Sequence, residues 1–440
     1  MKYNNNKNLG IIGLGHVGLP TALGFAELGF QVFGTDQKHV LDSINSNKVP
    51  FYEPDLNELL IKHINNDFKL VNNISELMEN SKILFICVGT PEGESGKSDL
   101  SAIEKVAKEI GNNLTDYKLI VEKSTVPVTT GDWIKKIIQE NSNTNIDFDV
   151  ASNPEFLREG TAIYDILNPD RIVIGAETNQ AINLLTEIYK SFDCPIFTTD
   201  MKTVEITKHA SNAFLAMRVS FINMISDICE RTGGDVTKVT TAMGLDPRIG
   251  QSYLQAGIGY GGYCLPKDIR SLINIGKEVG LDLHLLKSVE LINNQRINLI
   301  SEKIKSNLIN DDIDNKISIL GLSFKPNTDD IRESPSIKIV EKLLNENFQL
   351  YLHDPEAIMK VKKHFGEKGN INLNYCESAY ESAINSSMVV ILTPWLEYKN
   401  LDWGKIALTM KQPTLIDTMN LLDPKYIKTK GFNYISVGRS

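Results

Sequence analysis

Short apolar runs alternate with amphipathic stretches along the first half of the chain. Asn8–Gly13 (NLGIIG), Gln31–Asp36 (QVFGTD), Ile83–Gly89 (ILFICVG), Leu119–Ser124 (LIVEKS) and Phe148–Asn153 (FDVASN) read as strands. Helical patterns lie between them, and this βαβ rhythm predicts a doubly wound parallel sheet. Two further strand-like runs follow, Arg171–Ala176 and Pro195–Asp200. From about Thr203 the period changes. Thr203–Thr232 keeps helical periodicity with no proline or glycine, and the Gly233-Gly234 pair supplies a stop. More helical sequence runs to about Asn307. The alternation then resumes in Lys316–Phe324, Phe348–Asp354, Met388–Pro394 and Pro413–Met419, which predicts a second, smaller parallel sheet.

Composition narrows the class. A chain of 440 residues accommodates two or three domains, and 42% hydrophobic with 23% charged residues is a globular balance. No apolar run approaches the ~20 residues of a membrane span. The opening MKYNNNKN lacks a signal-peptide core and reads as a frayed tail without function. A net charge of −9 argues against a general nucleic-acid partner. Five cysteines lie far apart with no CxxC pair, which gives neither a metal site nor a disulfide framework. Reduced thiols and a cytoplasmic location are the simplest expectation.

Gly13-Leu14-Gly15-His16-Val17-Gly18 fits GxGxxG, follows a strand pattern and opens a helix pattern. Asp36 ends the next strand, where the dinucleotide fingerprint places its acidic residue. The glycines allow a tight turn and let a pyrophosphate approach a helix N-terminus. Asp36 suits the adenosine ribose 2′-hydroxyl and would repel a 2′-phosphate, so NAD is favoured over NADP; Lys38 nearby tempers that preference. Two later strand ends, Val88-Gly89-Thr90-Pro91 and Lys123-Ser124-Thr125-Val126-Pro127, bring Thr90 and Thr125 to where an open sheet meets its ligand. The second sheet echoes the first: ISILGLS resembles LGIIGLG, and YLHDPEA resembles FGTDQKH. The expected architecture is α/β, with two Rossmann-like doubly wound parallel-sheet domains at 1–202 and 308–440 joined by a helical middle section at 203–307. Without a complete GxGxxG, the second is a weak candidate for a dinucleotide.

Gly257–Asp268 (GIGYGGYCLPKD) is the most informative stretch. Four glycines in six residues allow positive φ and close backbone approach to a ligand. Cys264 follows, near a helix start and Lys267, a setting that favours a thiolate nucleophile. Asp268 lies one helical turn further on and could face the same pocket. The other cysteines read as buried and inert.

GLGHVGLP, VGTP, EKSTVPV, NPEFLREG, PDRIVIG, GYGGYCLPKD and FKPNTDDIRESP together resemble the UDP-glucose/GDP-mannose dehydrogenase family, in that family's order and over nearly the whole chain. NPEFLREGTAI followed by NPDRIVIG fits the branch acting on UDP-glucose. The resemblance implies an NAD-binding first domain, a helical middle that carries the nucleophile and the dimer contact, and a UDP-sugar-binding last domain. It also implies four-electron oxidation of the UDP-glucose C6 alcohol to UDP-glucuronate through a thiohemiacetal and thioester on Cys264.

By the same resemblance Lys208 and Asn212 stabilise the alkoxide and oxyanion, Asp268 acts as general base or orients water, and Glu155 and Thr125 position that water. Arg248 and Lys325 contact the nucleotide sugar, with Arg248 reaching the neighbouring subunit of a homodimer. Phe156, Leu157, Tyr253, Leu254 and Gly261 lie along the substrate, and Glu159, Lys267 and Arg332 join the NAD contacts. One position departs from the family pattern: Asp417-Thr418-Met419-Asn420 stands where Asp-Gly-Arg-Asn is usual. Alternatives are the same chemistry on GDP-mannose or a UDP-N-acetylhexosamine, a simple two-electron dehydrogenase, or a silent sugar-nucleotide-binding regulator.

Overall fold

A computed structural model describes residues 8–93, 96–308, 316–367 and 371–439; the polar opening segment lies outside them. The chain forms two compact units, residues 1–211 with 270–281, and residues 212–269 with 282–440.

The first unit holds an eight-stranded sheet. Its strands are β1 (Leu9–Ile12), β2 (Val32–Thr35), β3 (Phe68–Leu70), β4 (Ile83–Ile86), β5 (Leu119–Glu122), β6 (Asp149–Ser152), β7 (Ile172–Ala176) and β8 (Ile196–Thr199). They lie in the order β3-β2-β1-β4-β5-β6-β7-β8. The first six reproduce the 3-2-1-4-5-6 winding of a dinucleotide fold. β7 runs antiparallel to β6 and parallel to β8, so the two extra runs extend the sheet with one reversal of direction. β1, β2, β4 and β5 are buried along their whole length. Helices on both faces cause this, and it explains why these strands read as continuous apolar runs rather than alternating ones. Each fully buried Leu or Ile on such a strand stabilises the fold by roughly 1.5–3 kcal/mol over its exposed state.

The second unit repeats the winding with β9 (Lys316–Leu320), β10 (Gln349–His353), β11 (Leu373–Tyr375), β12 (Met388–Ile391), β13 (Thr414–Asp417) and β14 (Asn433–Ser436), in the order β11-β10-β9-β12-β13-β14, all parallel. Short β3, β11 and β14 are the strands that the hydrophobic pattern misses.

The long helix runs from Met201 to Thr232, roughly 48 Å at 1.5 Å per residue. It ends where the sequence places the stop: Gly233 takes φ +79°, and the Gly234 N–H donates to the Cys229 carbonyl at 2.9 Å, closing a Schellman turn. Helices Cys264–Glu278 and His284–Ser306 supply the remaining helical sequence. No described helix is long and apolar enough to cross a membrane.

Candidate active site

In the first unit, the glycine turn after β1 is built for a phosphate. Gly13 has φ +93°, and a Cβ there would lie 2.8 Å from the Cys87 carbonyl oxygen. A Cβ on Gly18 would collide with the Gly13 carbonyl. These two glycines therefore let the turn close on β4 and on itself. Gly15 differs: nothing lies within 4 Å of where its Cβ would be. The open face of Gly15 lies at the N-terminal approach to helix Gly18–Glu27, whose first N–H groups and dipole favour an anion.

The half-buried Asp36 carboxylate accepts the Leu14 N–H at 2.6 Å and the Gln37 N–H at 2.6 Å, tying the end of β2 to the glycine turn. His16 stacks on Phe51 with ring centroids 4.0 Å apart, and Val17 is half-buried beside it. Lys38 is exposed and pairs with Asp42 at 2.9 Å along its own helix. These groups fit NAD: an open glycine beside a helix N-terminus suits a diphosphate, and a carboxylate at the end of the second strand suits a ribose hydroxyl.

The two strand ends singled out by sequence are joined. Buried Thr90 donates through Oγ1 to the Thr125 carbonyl at 2.9 Å, and Ser124 Oγ donates to the Val88 carbonyl at 2.8 Å. Beyond β6, Glu155 is buried beside Lys208 of the long helix. Lys208 Nζ donates to the Glu155 carbonyl at 2.6 Å and sits 3.1 Å from its Oε1. The other Glu155 oxygen accepts the Leu157 N–H. The Phe156 ring lies between Lys208 Nζ, at 5.0 Å, and the Arg171 guanidinium, at 4.0 Å. Glu159 is half-buried on the same loop.

Residues without an assigned sequence role hold this loop. Buried Glu53 accepts N–H bonds from Gly160 and Ala162, both at 2.7 Å. Asn153 receives Tyr189 Oη at 2.5 Å and buried Lys123 Nζ at 3.2 Å, and donates to the Val173 carbonyl at 2.9 Å. Burial pulls the Lys123 pKa below its ordinary value, with Cys87, Glu155 and Glu122 opposing.

In the second unit, half-buried Cys264 opens helix Cys264–Glu278. Asp268 follows on the same helix face and is fully buried. Its Oδ2 accepts Asn212 Nδ2 at 2.5 Å, and Lys267 Nζ lies 2.7 Å from its Oδ1. The pairing of Asn212 with Asp268 spans 56 positions and is invisible to sequence spacing. Cys87, Cys229 and Cys376 are buried, while Cys194 is half-buried like Cys264. Burial pushes Cys87 up to about 12 and Cys376 to about 11, and raises Cys194 as well.

The glycines before Cys264 are needed for packing of the chain on itself. Gly259 and Gly262 do take positive φ, but the close approach is to the chain itself. A Cβ on Gly257 would meet Met419 Sδ at 2.5 Å, one on Gly261 the Glu333 carbonyl at 2.5 Å, and one on Gly262 the Phe324 ring at 2.7 Å. Met419 is thus partly buried against Gly257, with its N–H on Asp417 at 3.1 Å.

Around this segment, the Arg332 guanidinium lies 4.5 Å over Tyr263 and pairs with Asp330 at 2.6 Å. Lys325 Nζ lies 5.4 Å from the Phe324 ring centroid. Leu254 is buried, and half-buried Tyr253 has φ +61°. Arg248 stands on an exposed loop, paired with Asp246 at 2.6 Å, and Arg218 holds that loop through the Ile249 and Gly250 carbonyls. In the second winding Gly321 takes φ +93°, and a Cβ there would collide with Thr393 Cβ. Asp354, the counterpart of Asp36, is buried and accepts donors from Leu322, Ser323, Glu356, Ala357 and Trp395.

An open glycine turn on a 3-2-1-4-5-6 sheet, together with a second winding of the same order, defines a dinucleotide-binding protein of two α/β units. Family comparison makes the class specific. The NAD-binding, central and UDP-binding domains of the UDP-glucose/GDP-mannose dehydrogenase family match residues 7–193, 202–295 and 318–424, and the chain belongs to that family. It is an NAD-dependent sugar-nucleotide dehydrogenase. It is 38% identical over 436 residues to the UDP-glucose 6-dehydrogenase TuaD of Bacillus subtilis (strain 168), covering 98% of this chain and 93% of that one. A solved UDP-glucose dehydrogenase from Pyrobaculum islandicum superposes with a TM-score of 0.90 at 32% identity, covering 100% of this chain and 99% of the other. A UDP-D-ManNAc dehydrogenase from Pyrococcus horikoshii superposes with 0.82 at 26%, covering 98% and 99%.

Proposed function

We propose that the chain oxidises the C6 alcohol of UDP-glucose to the carboxylate of UDP-glucuronate in two NAD-dependent steps linked by a covalent adduct on Cys264. The observation that carries this is a half-buried cysteine opening a helix, one turn from a buried carboxylate already engaged by an amide and an ammonium. A simple alcohol dehydrogenase needs no such thiol.

NAD, when bound, accepts the hydride of each oxidation. In the first, the alcohol loses a proton and a hydride to become an aldehyde. Lys208 and Asn212, one turn apart on the long helix, stabilise the oxyanion. Cys264 Sγ adds to the aldehyde carbon, giving a thiohemiacetal. Loss of a second hydride from carbon and of the hydroxyl proton gives a thioester. Water, positioned by Glu155 and Thr125 and deprotonated by Asp268, then displaces the thiol and leaves the carboxylate. In this reading residues 1–202 hold NAD, 203–307 carry the nucleophile, and 308–440 hold the UDP moiety with Lys325.

The long helix also supports a homodimer. Phe214, Met217, Phe221, Met224 and Ile228 follow a 3-4-3-4 spacing, and four of the five are 42–55% exposed. Such a stripe is the seam of a helix pair, and a second copy of the same helix is its self-complementary partner. Exposed Arg248 then has a neighbouring subunit to reach.

NADH yield per mole of sugar nucleotide, run to completion at 340 nm, tests the reaction. Two NADH per UDP-glucose, with little signal from GDP-mannose or UDP-N-acetyl sugars, is the expected result. One NADH refutes the thioester route. Two from another sugar only moves the substrate and keeps the mechanism.

A further inference from the structure

We propose that Glu205 is a positioning residue of the oxidation: its carboxylate fixes the turn of the long helix that carries Lys208 against the loop that carries Thr125. The inference rests on the roles assigned above to Lys208 and Thr125. Glu205 is 2% exposed. Its Oε2 accepts the Thr129 N–H at 2.6 Å and its Oε1 accepts the Gly131 N–H at 2.8 Å. These donors belong to the start of helix Thr130–Asn141, which receives no bond from the side chain of its own N-cap. Glu205 therefore caps this helix from another part of the chain.

The geometry on both sides of the carboxylate is specific. Thr129 is β-branched yet takes φ +77°, and one Glu205 oxygen holds its N–H in that conformation. Gly131 lets the long helix come close, since a Cβ there would lie 2.8 Å from Met201 Sδ and 3.4 Å from Glu205 Oε1. Four residues before Thr129, the Thr125 carbonyl is fixed by Thr90. One turn beyond Glu205, Lys208 donates to Glu155. One side chain thus sets the register between the cation proposed to hold the oxyanion and the loop proposed to hold the water.

Its charge state matters. Burial raises the Glu205 pKa to about 7, against the two N–H groups that favour the anion; Asp132 raises it further and Lys202 lowers it. Lys202 itself pairs with Asp132 at 3.1 Å, and His209 Nδ1 lies 3.1 Å from the Glu205 main-chain carbonyl. A proton on Glu205 takes one oxygen out of service as an acceptor, and one of the two N–H groups loses its partner.

Glu205→Gln reproduces that state at every pH, because an amide offers one acceptor and turns a donor toward the second N–H. The test compares kcat of wild type and Glu205→Gln between pH 5.5 and 8.5 at saturating NAD and sugar nucleotide, which cancels other titrations in the ratio. At pH 8.5 kcat is expected to fall on the order of tenfold to a hundredfold, with KM for the sugar nucleotide within roughly twofold. The ratio is expected to shrink toward one as pH falls through 7. A ratio near one at pH 8.5, or one that does not change with pH, overturns the proposal. If Glu205→Gln does not fold, Glu205→Asp replaces it: both acceptors stay but are withdrawn by one methylene, and a wild-type kcat in that variant is equally fatal. Any sugar nucleotide that the wild type oxidises serves, so a wrong substrate assignment does not enter. Lys208→Ala is measured alongside, and full activity there would fault the role of Lys208 independently of Glu205.

Discussion

At the residue scale the proposal rests on Cys264 and Asp36. In the proposed route Cys264 joins the two oxidations, so Cys264→Ser is expected to release no second NADH: the hydroxyl adds weakly to the aldehyde, and UDP-glucose yields one NADH or none. Two NADH at a normal rate from this variant would remove the covalent step. Asp36 accepts the Leu14 N–H at 2.6 Å, tying it to the glycine turn, and in the proposed reading it also holds the ribose. Asp36→Ala is expected to weaken NAD binding at least about tenfold, or ~1.4 kcal/mol, the order of one charge-assisted hydrogen bond. Calorimetric titration of NAD reads this directly, and unchanged affinity would place the ribose elsewhere.

Elements show where sequence stops being informative. Strands buried on both faces announce themselves as apolar runs, so β1, β2, β4 and β5 are plain from composition alone. β3 (Phe-Lys-Leu) and β11 (Leu-Asn-Tyr) are three residues long at sheet edges, with one polar position each, and carry no such signal. The glycines before Cys264 signal close approach correctly but cannot say to what. Gly262 packs on Phe324, and with φ +80° Gly262→Ala is expected to cost about 2 kcal/mol or more, read as a lowered urea midpoint. Glu205 shares a face with Lys208 and looks like an ordinary polar stripe, because its partners lie 74 and 76 positions away. A carboxyl with a raised pKa is one the folded state prefers protonated. Its stabilisation is therefore complete below its ordinary 4.5 and is lost as pH rises through about 7. Between pH 5 and 8, wild type is expected to lose stability relative to Glu205→Gln, and parallel urea midpoints would mean that Glu205 does not titrate there. Stability and the proposed function thus pull in opposite directions at this residue, as they commonly do at active sites.

At the scale of the whole molecule, the long helix favours assembly into a dimer. A globular chain exposes single apolar residues routinely, but Phe214, Phe221, Met224 and Ile228 line one face of one helix at heptad spacing. Leaving that face in water forfeits the burial of two phenylalanines and two long aliphatic side chains per subunit, and covering it with a second copy doubles the gain. The face also lies in the same unit as Arg248, whose side chain is 87% exposed and pairs with Asp246. Phe221→Lys puts a like charge on both helices at the centre of the stripe. It is expected to shift the protein from dimer to monomer in sedimentation velocity without lowering NAD affinity, because the glycine turn and Asp36 belong to the other unit. If Arg248 works across the interface, the monomer binds NAD normally yet no longer saturates with sugar nucleotide, and Arg248→Ala in the dimer gives the same kinetic defect. A Phe221→Lys protein that stays dimeric would move the interface off this helix, while a fully active monomer would keep the interface and release Arg248 from it.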